Sequence, residues 1–383
     1  MGNGALFASF VSRLPDVRAA LHLSNGSLGL LLLAASLGSI GALPFAGSLV
    51  LRWSAAAVVR AASIVCVVAL VMAAFGTTVV GQAWLVGVAL AAYGGGTSLW
   101  DVAMNVEGAE VERRRGRVLM PQLHAMWSVG SIGGSLIGIP MAAAAVPLLI
   151  HMAIVGAICL AVALRAVNAF LPVAEKKHGS GGRSALRAWG ELRTLVLGLM
   201  VFCFAAVEGS ANDWLTLAVI DGYHTPHWVG VTGYSLFVVC MTLGRFGGAR
   251  LLDRFGRAPM LWCCAAAALT GILITVYAGA LPLALLGIAI WGLGGALGFP
   301  VGMSAAADDS ANAPARVSVV STIGYGAFLA FPPVLGALGD HVGTLDALLV
   351  IAALMLPASA AVLAARPPRG WEAEVAISRR RGA

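Results

Sequence analysis

Twelve apolar runs separated by short polar turns constrain this chain more than any motif does. A helix rises 1.5 Å per residue, so about 20 apolar residues cross a hydrocarbon core of roughly 30 Å. Backbone in lipid must satisfy its own hydrogen bonds, which leaves helices and closed barrels. The runs fall near residues 1–12, 26–51, 57–78, 79–104, 118–144, 147–170, 194–220, 228–250, 258–279, 281–306, 317–339 and 343–365, here spans 1 to 12. Only 11% of the 383 residues are charged, against about 25% in soluble domains. The expected class is therefore all-α integral membrane, with twelve transmembrane helices. Span 1 covers only about 18 Å before Arg13-Leu14-Pro15-Asp16 intervenes, and reads as a helix truncated at its N-terminus.

The net charge of +7 reports topology rather than a nucleic-acid partner. Lys and Arg cluster after span 2 (Arg52, Arg60), after span 4 (Arg113, Arg114, Arg115, Arg117), between spans 6 and 7, around the span 8–9 turn (Arg245, Arg250, Arg254, Arg257) and in the tail. With Arg165 and Arg316, 22 of the 24 basic residues fall on one side, leaving Arg13 and Arg18 on the other. By the positive-inside rule both termini are expected in the cytoplasm of a cell whose inner membrane holds the protein. All six cysteines lie in apolar runs without a CxxC spacing, so they suggest neither a metal nor a disulfide.

The longest polar stretch, Pro172 to Arg193, contains Gly179-Ser180-Gly181-Gly182. It divides the chain into a bundle at 1–171, a linker at 172–193, a second bundle at 194–366 and a basic tail at 367–383. An internal repeat supports the division. The turn after span 8 reads Ala249-Arg250-Leu251-Leu252-Asp253-Arg254-Phe255-Gly256-Arg257, and that after span 2 reads Gly47-Ser48-Leu49-Val50-Leu51-Arg52-Trp53-Ser54. Duplicated transporter halves carry weak symmetry of this kind.

At these turns the chain resembles the major facilitator superfamily, whose signature there is G-x-x-x-D-R-x-G-R. The second copy keeps Asp253, Arg254, Gly256 and Arg257, with Ala249 at the glycine position; the first keeps Gly47 and Arg52, with Leu51 for the aspartate and Ser54 for the second glycine. The stretches 12–33, 100–117, 123–138, 208–214 and 320–340 are similar to a group of bacterial permeases related to the fucose-permease type. The resemblance implies two pseudo-symmetric six-helix bundles and a first helix that starts earlier. It also implies a cytoplasmic gate at Asp253, Arg254, Arg257 and Arg52, with Asp253 docking near Leu119 at the start of span 5. Leu51 leaves the equivalent latch of the first copy without its carboxylate.

A carboxylate at the bilayer centre costs about 2.5–3.5 kcal/mol on insertion scales, so such residues should face protein or water. Glu208 is at the midpoint of span 7, with Asn212 on its face and Asp213 turned elsewhere. Glu208 either exchanges a proton or is locked to a neighbouring helix as a structural pair; the same choice applies to Asp213. Span 4 carries Thr97, Asp101 and Asn105 at i, i+4, i+8. Span 5 carries His124 and three serines, and at similar depth Asp101 and His124 are candidates for pairing, as a proton relay or as a closing salt bridge. Trp100, Trp127 and Trp214 neighbour these polar groups; Asn105, Asn212, Ser321 and Tyr325 complete the expected cavity lining. Trp291 in the glycine-rich span 10 ranks lower, as packing. Gly130, Gly134 and Gly138 on span 5 read as small-residue packing.

The expected function is secondary active transport of a small organic solute by alternating access, with proton coupling favoured because Glu, Asp and His can each change charge. A proton antiporter exporting drugs or metabolites and an uncoupled facilitator are the alternatives. A polytopic membrane enzyme would need a nucleophile–base set or a metal triad such as H-E-x-x-H, and the sequence shows neither. Asp221, His224 and His227 read as ordinary loop residues. No cofactor, metal or nucleic acid is expected, and the partners are the solute, protons and the bilayer around a monomer. Arg13 and Arg245, read as lying near span ends, leave few cations inside the membrane, which argues against a dianionic cargo and suits a neutral or cationic one.

Overall fold

The computed structural model describes residues 1–115, 120–170, 187–308 and 313–366. Within these, the side chains of Pro44, Leu51, Ala109, Glu110, Glu112 to Arg115, Met120 to Gln122, His124, Ala249, Ala313 and Pro314 lie outside the description. The described chain is helical. Its first half comprises α1 (Gly2–Val11), the short α2 (Leu14–Ala20), α3 (Asn25–Trp53), α4 (Ala55–Phe75, continued by a π turn at Gly76–Val80), α5 (Ala83–Arg115), α6 (Met120–Ala143) and α7 (Leu148–Val167). The second comprises α8 (Leu192–Tyr223), α9 (His227–Phe255), α10 (Arg257–Tyr277), α11 (Leu281–Gly295), α12 (Gly298–Ala306), α13 (Ala313–Val342), α14 (Thr344–Ala347) and α15 (Leu349–Ala361), closed by a 3-10 turn at Val362–Ala365.

Ten helical stretches among the described residues are long and apolar enough to cross a membrane. Spans 1 and 4 are not among them: α1 has ten residues, and α5, at 33 residues, interrupts its apolar part with Gly94-Gly95-Gly96-Thr97-Ser98 before Asp101. Two boundaries move. Span 3 extends to Val80 through its π turn, and span 4 starts at Ala83. Span 10 is two pieces broken at Ala296 and Leu297.

In the first bundle α3 and α4 pack on α5, and α1 packs on α6 and α7. In the second α8 is the centre, enclosed by α9, α12, α13 and α15 and buried along most of its length. The two bundles meet along α3 with α13 and along α6 with α9. Glycines Gly130 and Gly134 of α6 face the α1 backbone at Met1 and Ala5 so closely that a Cβ would collide there, the small-residue packing expected of span 5.

The repeated turns share a backbone conformation that sequence identity hides. Gly256, between α9 and α10, has φ +80° and ψ 169°, and Ser54, between α3 and α4, has φ +85° and ψ 154°. That region is essentially reserved for glycine. Ser54 occupies it while its hydroxyl caps α4, accepting from the Ala57 N–H at 3.3 Å, which offsets part of the strain.

Candidate functional site

The end of the molecule carrying the α3–α4 and α9–α10 turns is here called the basic end, and its opposite the far end. The far end is sealed by contacts that cross from one bundle to the other. Arg18 of α2 grips Asp221 near the end of α8 through two parallel bonds of 2.6 Å, the bidentate geometry that makes such pairs strong. Its Nη1 also donates to Asn25 Oδ1 at 2.8 Å, and the Thr344 hydroxyl donates to Asp221 at 3.1 Å. The α3 N-terminus points its free amides at Asp340 of α13: Asn25 N–H donates at 2.7 Å and Gly26 N–H at 2.8 Å, a negative charge meeting the positive end of a helix dipole.

A third crossing involves His227 at the start of α9. Its Nε2 lies 3.1 Å from the Ser12 carbonyl and its Nδ1 3.4 Å from Asp16. Both partners are acceptors, so the imidazole holds both only when each nitrogen carries a proton. Asp16 also pairs with Arg13 at 2.6 Å, whose Nη2 donates to the Val146 carbonyl at 2.8 Å. Arg13, expected near a span end, is only 3% exposed.

Midway through the membrane Glu208 of α8 meets a partner that sequence reasoning missed. Arg245 of α9 donates from Nη2 to Glu208 Oε2 at 2.8 Å, from Nη1 to the Ser128 hydroxyl of α6 at 3.1 Å, and from Nε to the Ala296 carbonyl at 3.3 Å. Sequence position had assigned Arg245 to the charged turn. The helix instead continues to Phe255, which carries Arg245 into the apolar stretch His227–Gly248. The break between α11 and α12 frees the Ala296 carbonyl, and Arg245 satisfies it, as non-helical backbone at membrane depth requires. The signal was present in the arginine's distance from Gly256, the first residue outside the helix.

The other expected lining residues divide by exposure. Asp101 and Asn105 are exposed on α5, Thr97 is half-buried beside them, and Trp100 is buried. Tyr325 on α13 is exposed and lies within electrostatic reach of both Asp101 and Glu208, so the three converge between the bundles. Ser321 donates to the Met303 sulfur at 3.6 Å. Asn212 is buried and accepts from the Tyr234 hydroxyl at 3.3 Å; Trp214 is buried with its indole N–H unpartnered in the protein. Asp213 is half-buried and, among the described residues, has neither an ion-pair nor a hydrogen-bond partner. Trp127 rests against Phe7 with ring centroids 5.8 Å apart. Trp291 is fully buried edge-on against Phe237. The side chain of His124 lies outside the described residues, and with it the expected pairing to Asp101.

At the basic end Arg52, Asp253 and Arg254 are exposed, and Arg254 stacks over Phe255 at 5.2 Å. Leu119, the expected docking point of Asp253, lies outside the described residues. Arg257 bonds inside its own bundle: it and Arg193 share Asp308, at 2.7 and 2.8 Å, and Asp308 is 1% exposed. Beside this knot Arg316 pairs with Glu191 at 2.6 Å. That hydrogen bond holds the Glu191 carboxyl below the usual carboxylate range. Among the described residues no three His, Cys, Asp or Glu side chains converge as a metal site needs.

The sequence profile of the Major Facilitator Superfamily matches residues 1–326. An uncharacterised MFS-type transporter of Yersinia pestis is 30% identical over 367 residues, 94% of this chain and 92% of its own. A membrane protein of Rhizobium meliloti, MosC, is 26% identical over 92% of this chain and 84% of its own. Among solved structures, a variant of the nucleoside transporter NupG superposes with a TM-score of 0.79 at 14% identity, over 95% of this chain and 97% of that one. The Escherichia coli fucose:proton symporter FucP superposes with a TM-score of 0.62 at 20% identity, over 96% and 98%. With two six-helix bundles meeting around a polar centre, a profile match over most of its length and transporters as its relatives, the chain is a multi-span membrane transporter belonging to the major facilitator superfamily.

Proposed function

We propose that the protein is a proton-coupled secondary transporter that moves a small organic solute by alternating access through the polar centre between its bundles. The observation that carries this reading is Glu208: a carboxylate at membrane depth, joined through Arg245 to Ser128 of the opposite bundle. A proton on Glu208 removes half of an ion pair within the second bundle whose arginine also bonds Ser128 of the first, so protonation and bundle movement are linked through one side chain. The far-end crossings are the second support. With Arg18, Asp340 and His227 closing that end and Asp101, Asn105 and Tyr325 exposed at the centre, the arrangement suits a state open toward the basic end.

By the positive-inside rule the basic end faces the cytoplasm; we read the protein as a monomer in the bacterial inner membrane. Asp101 and Asp213 are the further protonatable groups of the path; Asn105, Asn212, Ser321, Tyr325 and the Trp100, Trp127 and Trp214 rings form its walls, and Asp253, Arg254, Arg257 and Arg52 form the gate at the basic end. NupG and FucP are named for a nucleoside and for fucose with protons; at 14% and 20% identity they share the fold with this chain, and their cargo does not transfer.

The test is proton movement into proteoliposomes holding wild type or Glu208→Gln, across sugars, organic acids and amines. Solute-dependent proton flux lost in the variant is expected. Solute flux that persists in Glu208→Gln with unchanged pH dependence would overturn the role given to Glu208.

A further inference from the structure

Arg245 differs from every other charged group at the polar centre in one respect: it cannot discharge itself. A carboxyl in a poor dielectric can take a proton and become neutral, whereas a guanidinium stays charged at all accessible pH. Asp101, Asp213 and Glu208 therefore tolerate the loss of a counter-ion and Arg245 does not. Its one charged partner among the described residues is Glu208; its other two bonds go to a hydroxyl and a backbone carbonyl. Removing one member of such a pair leaves a charge whose desolvation nothing offsets.

Resting on the reading of Glu208 as the proton acceptor, we infer that protonation of Glu208 turns Arg245 into an anion-binding site, and that the cargo is an organic monocarboxylate. The proton goes from water in the cavity to a Glu208 oxygen, and the freed Nη2 then donates to the carboxylate of the solute. One guanidinium matches one carboxylate, so proton and anion enter together and the charge of the site is unchanged. The fork that grips Glu208 and Ser128 is already aimed at the boundary between the bundles, and the Arg245 side chain keeps 23% of its surface exposed.

The groups facing Glu208 fit this exchange. Arg245 reaches it from α9. The Tyr325 hydroxyl, exposed on α13 and within electrostatic reach, can donate to a carboxylate, whereas the Tyr234 hydroxyl on α9 is fully buried and already donates to Asn212. Asp101, across the centre, and Asp213, toward the far end, confine a single anion to the neighbourhood of Arg245. The expectation of a neutral or cationic cargo rested on Arg245 lying at a span end, and its actual position reverses that argument.

The test is binding to purified protein in lipid nanodiscs, followed by tryptophan fluorescence. The probes are lactate and benzoate, their neutral amides, and benzylamine. In the wild type, affinity for the two acids should rise by up to about tenfold per pH unit as the pH falls from about 8 to 5.5, the linkage of one proton to one anion. Glu208→Gln should bind both acids at neutral pH at least about tenfold more tightly than wild type, without pH dependence. Arg245→Gln should bind neither, and no form should bind the amides.

Equal binding of acids and amides, or preference for benzylamine, overturns the inference. So does acid binding by Glu208→Gln no tighter than wild type. If Glu208→Gln does not fold, the wild-type pH slope decides alone: a flat slope overturns it. The two readings fail separately. Proton flux driven by a sugar or amine and lost in Glu208→Gln would retain Glu208 as proton acceptor and discard the monocarboxylate. Acid binding dependent on Arg245 without proton flux would retain the anion site and discard coupling.

Discussion

Arg245 and Glu208 meet at 2.8 Å in the middle of the spanning segments, and the same guanidinium reaches Ser128 on the other bundle. Breaking such a pair from one side is expected to be far more harmful than deleting it. Glu208→Met strands a guanidinium and should destabilise the protein by about 3 kcal/mol. Arg245→Met strands a carboxylate, which can take a proton, and should cost less. The double variant should recover most of the loss while remaining inactive in transport. Thermal unfolding in nanodiscs of the four proteins checks this; additive losses in the double variant would show that the two side chains are not coupled.

Ser54 should be improved by replacement. It holds φ +85°, a conformation costing a non-glycine residue about 1–3 kcal/mol, and the cap it gives Ala57 is replaced by glycine with a loss of only a few tenths. Ser54→Gly is expected to stabilise the protein by about 1 kcal/mol and to leave transport intact. Thermal unfolding and uptake measured on the same preparation test both halves.

The membrane-spanning all-α class was legible in the sequence, and Glu208, Asp101 and Tyr325 were legible as candidates, because a polar group inside an apolar run has few explanations. Arg245 was not, since a chain read in windows assigns a cation close to a basic turn to that turn. Only the helix end at Phe255 shows it to be a residue of the interior. The crossings at the far end were equally hidden: Asp221 and Asp340 look like solvated loop charges until α3, α8 and α13 bring them against Arg18 and the α3 amides. Sequence spacing reports what one helix presents, and these contacts depend on which helices meet.

Glu191 and Arg316 supply a pH signature at the basic end. The hydrogen bond from Arg316 lowers the Glu191 titration below that of the unfolded chain. A carboxyl depressed in this way adds stability above its unfolded pKa and loses it as pH falls through the folded one. Both groups are partly exposed, so the effect should be small, about 0.5 kcal/mol. Glu191→Gln should lower the unfolding temperature slightly at neutral pH and match wild type in acid. A deficit that is the same at both pH values would contradict the electrostatic origin.

The far-end seal makes the sharpest conformational prediction, because two unrelated kinds of contact enforce it. Arg18→Ala removes the bidentate grip on Asp221 and should favour opening of that end by about 1.5–3 kcal/mol, the range for hydrogen bonds to charged groups. Gly29 acts sterically: its α-carbon faces the Pro332 carbonyl of α13 so closely that any Cβ collides with backbone. Gly29→Val should therefore hold α3 away from α13 and keep the far end open without altering a charge. Gly41, on the same helix with nothing near its Cα hydrogen, is the control, and Gly41→Ala should change little. Spin labels at the exposed positions His22 and His224 report the separation of the bundles: the distance should lengthen in a minor population for Arg18→Ala, in most molecules for Gly29→Val, and not for Gly41→Ala. A distance unchanged in Gly29→Val would mean that the close approach of α3 and α13 does not hold this end shut.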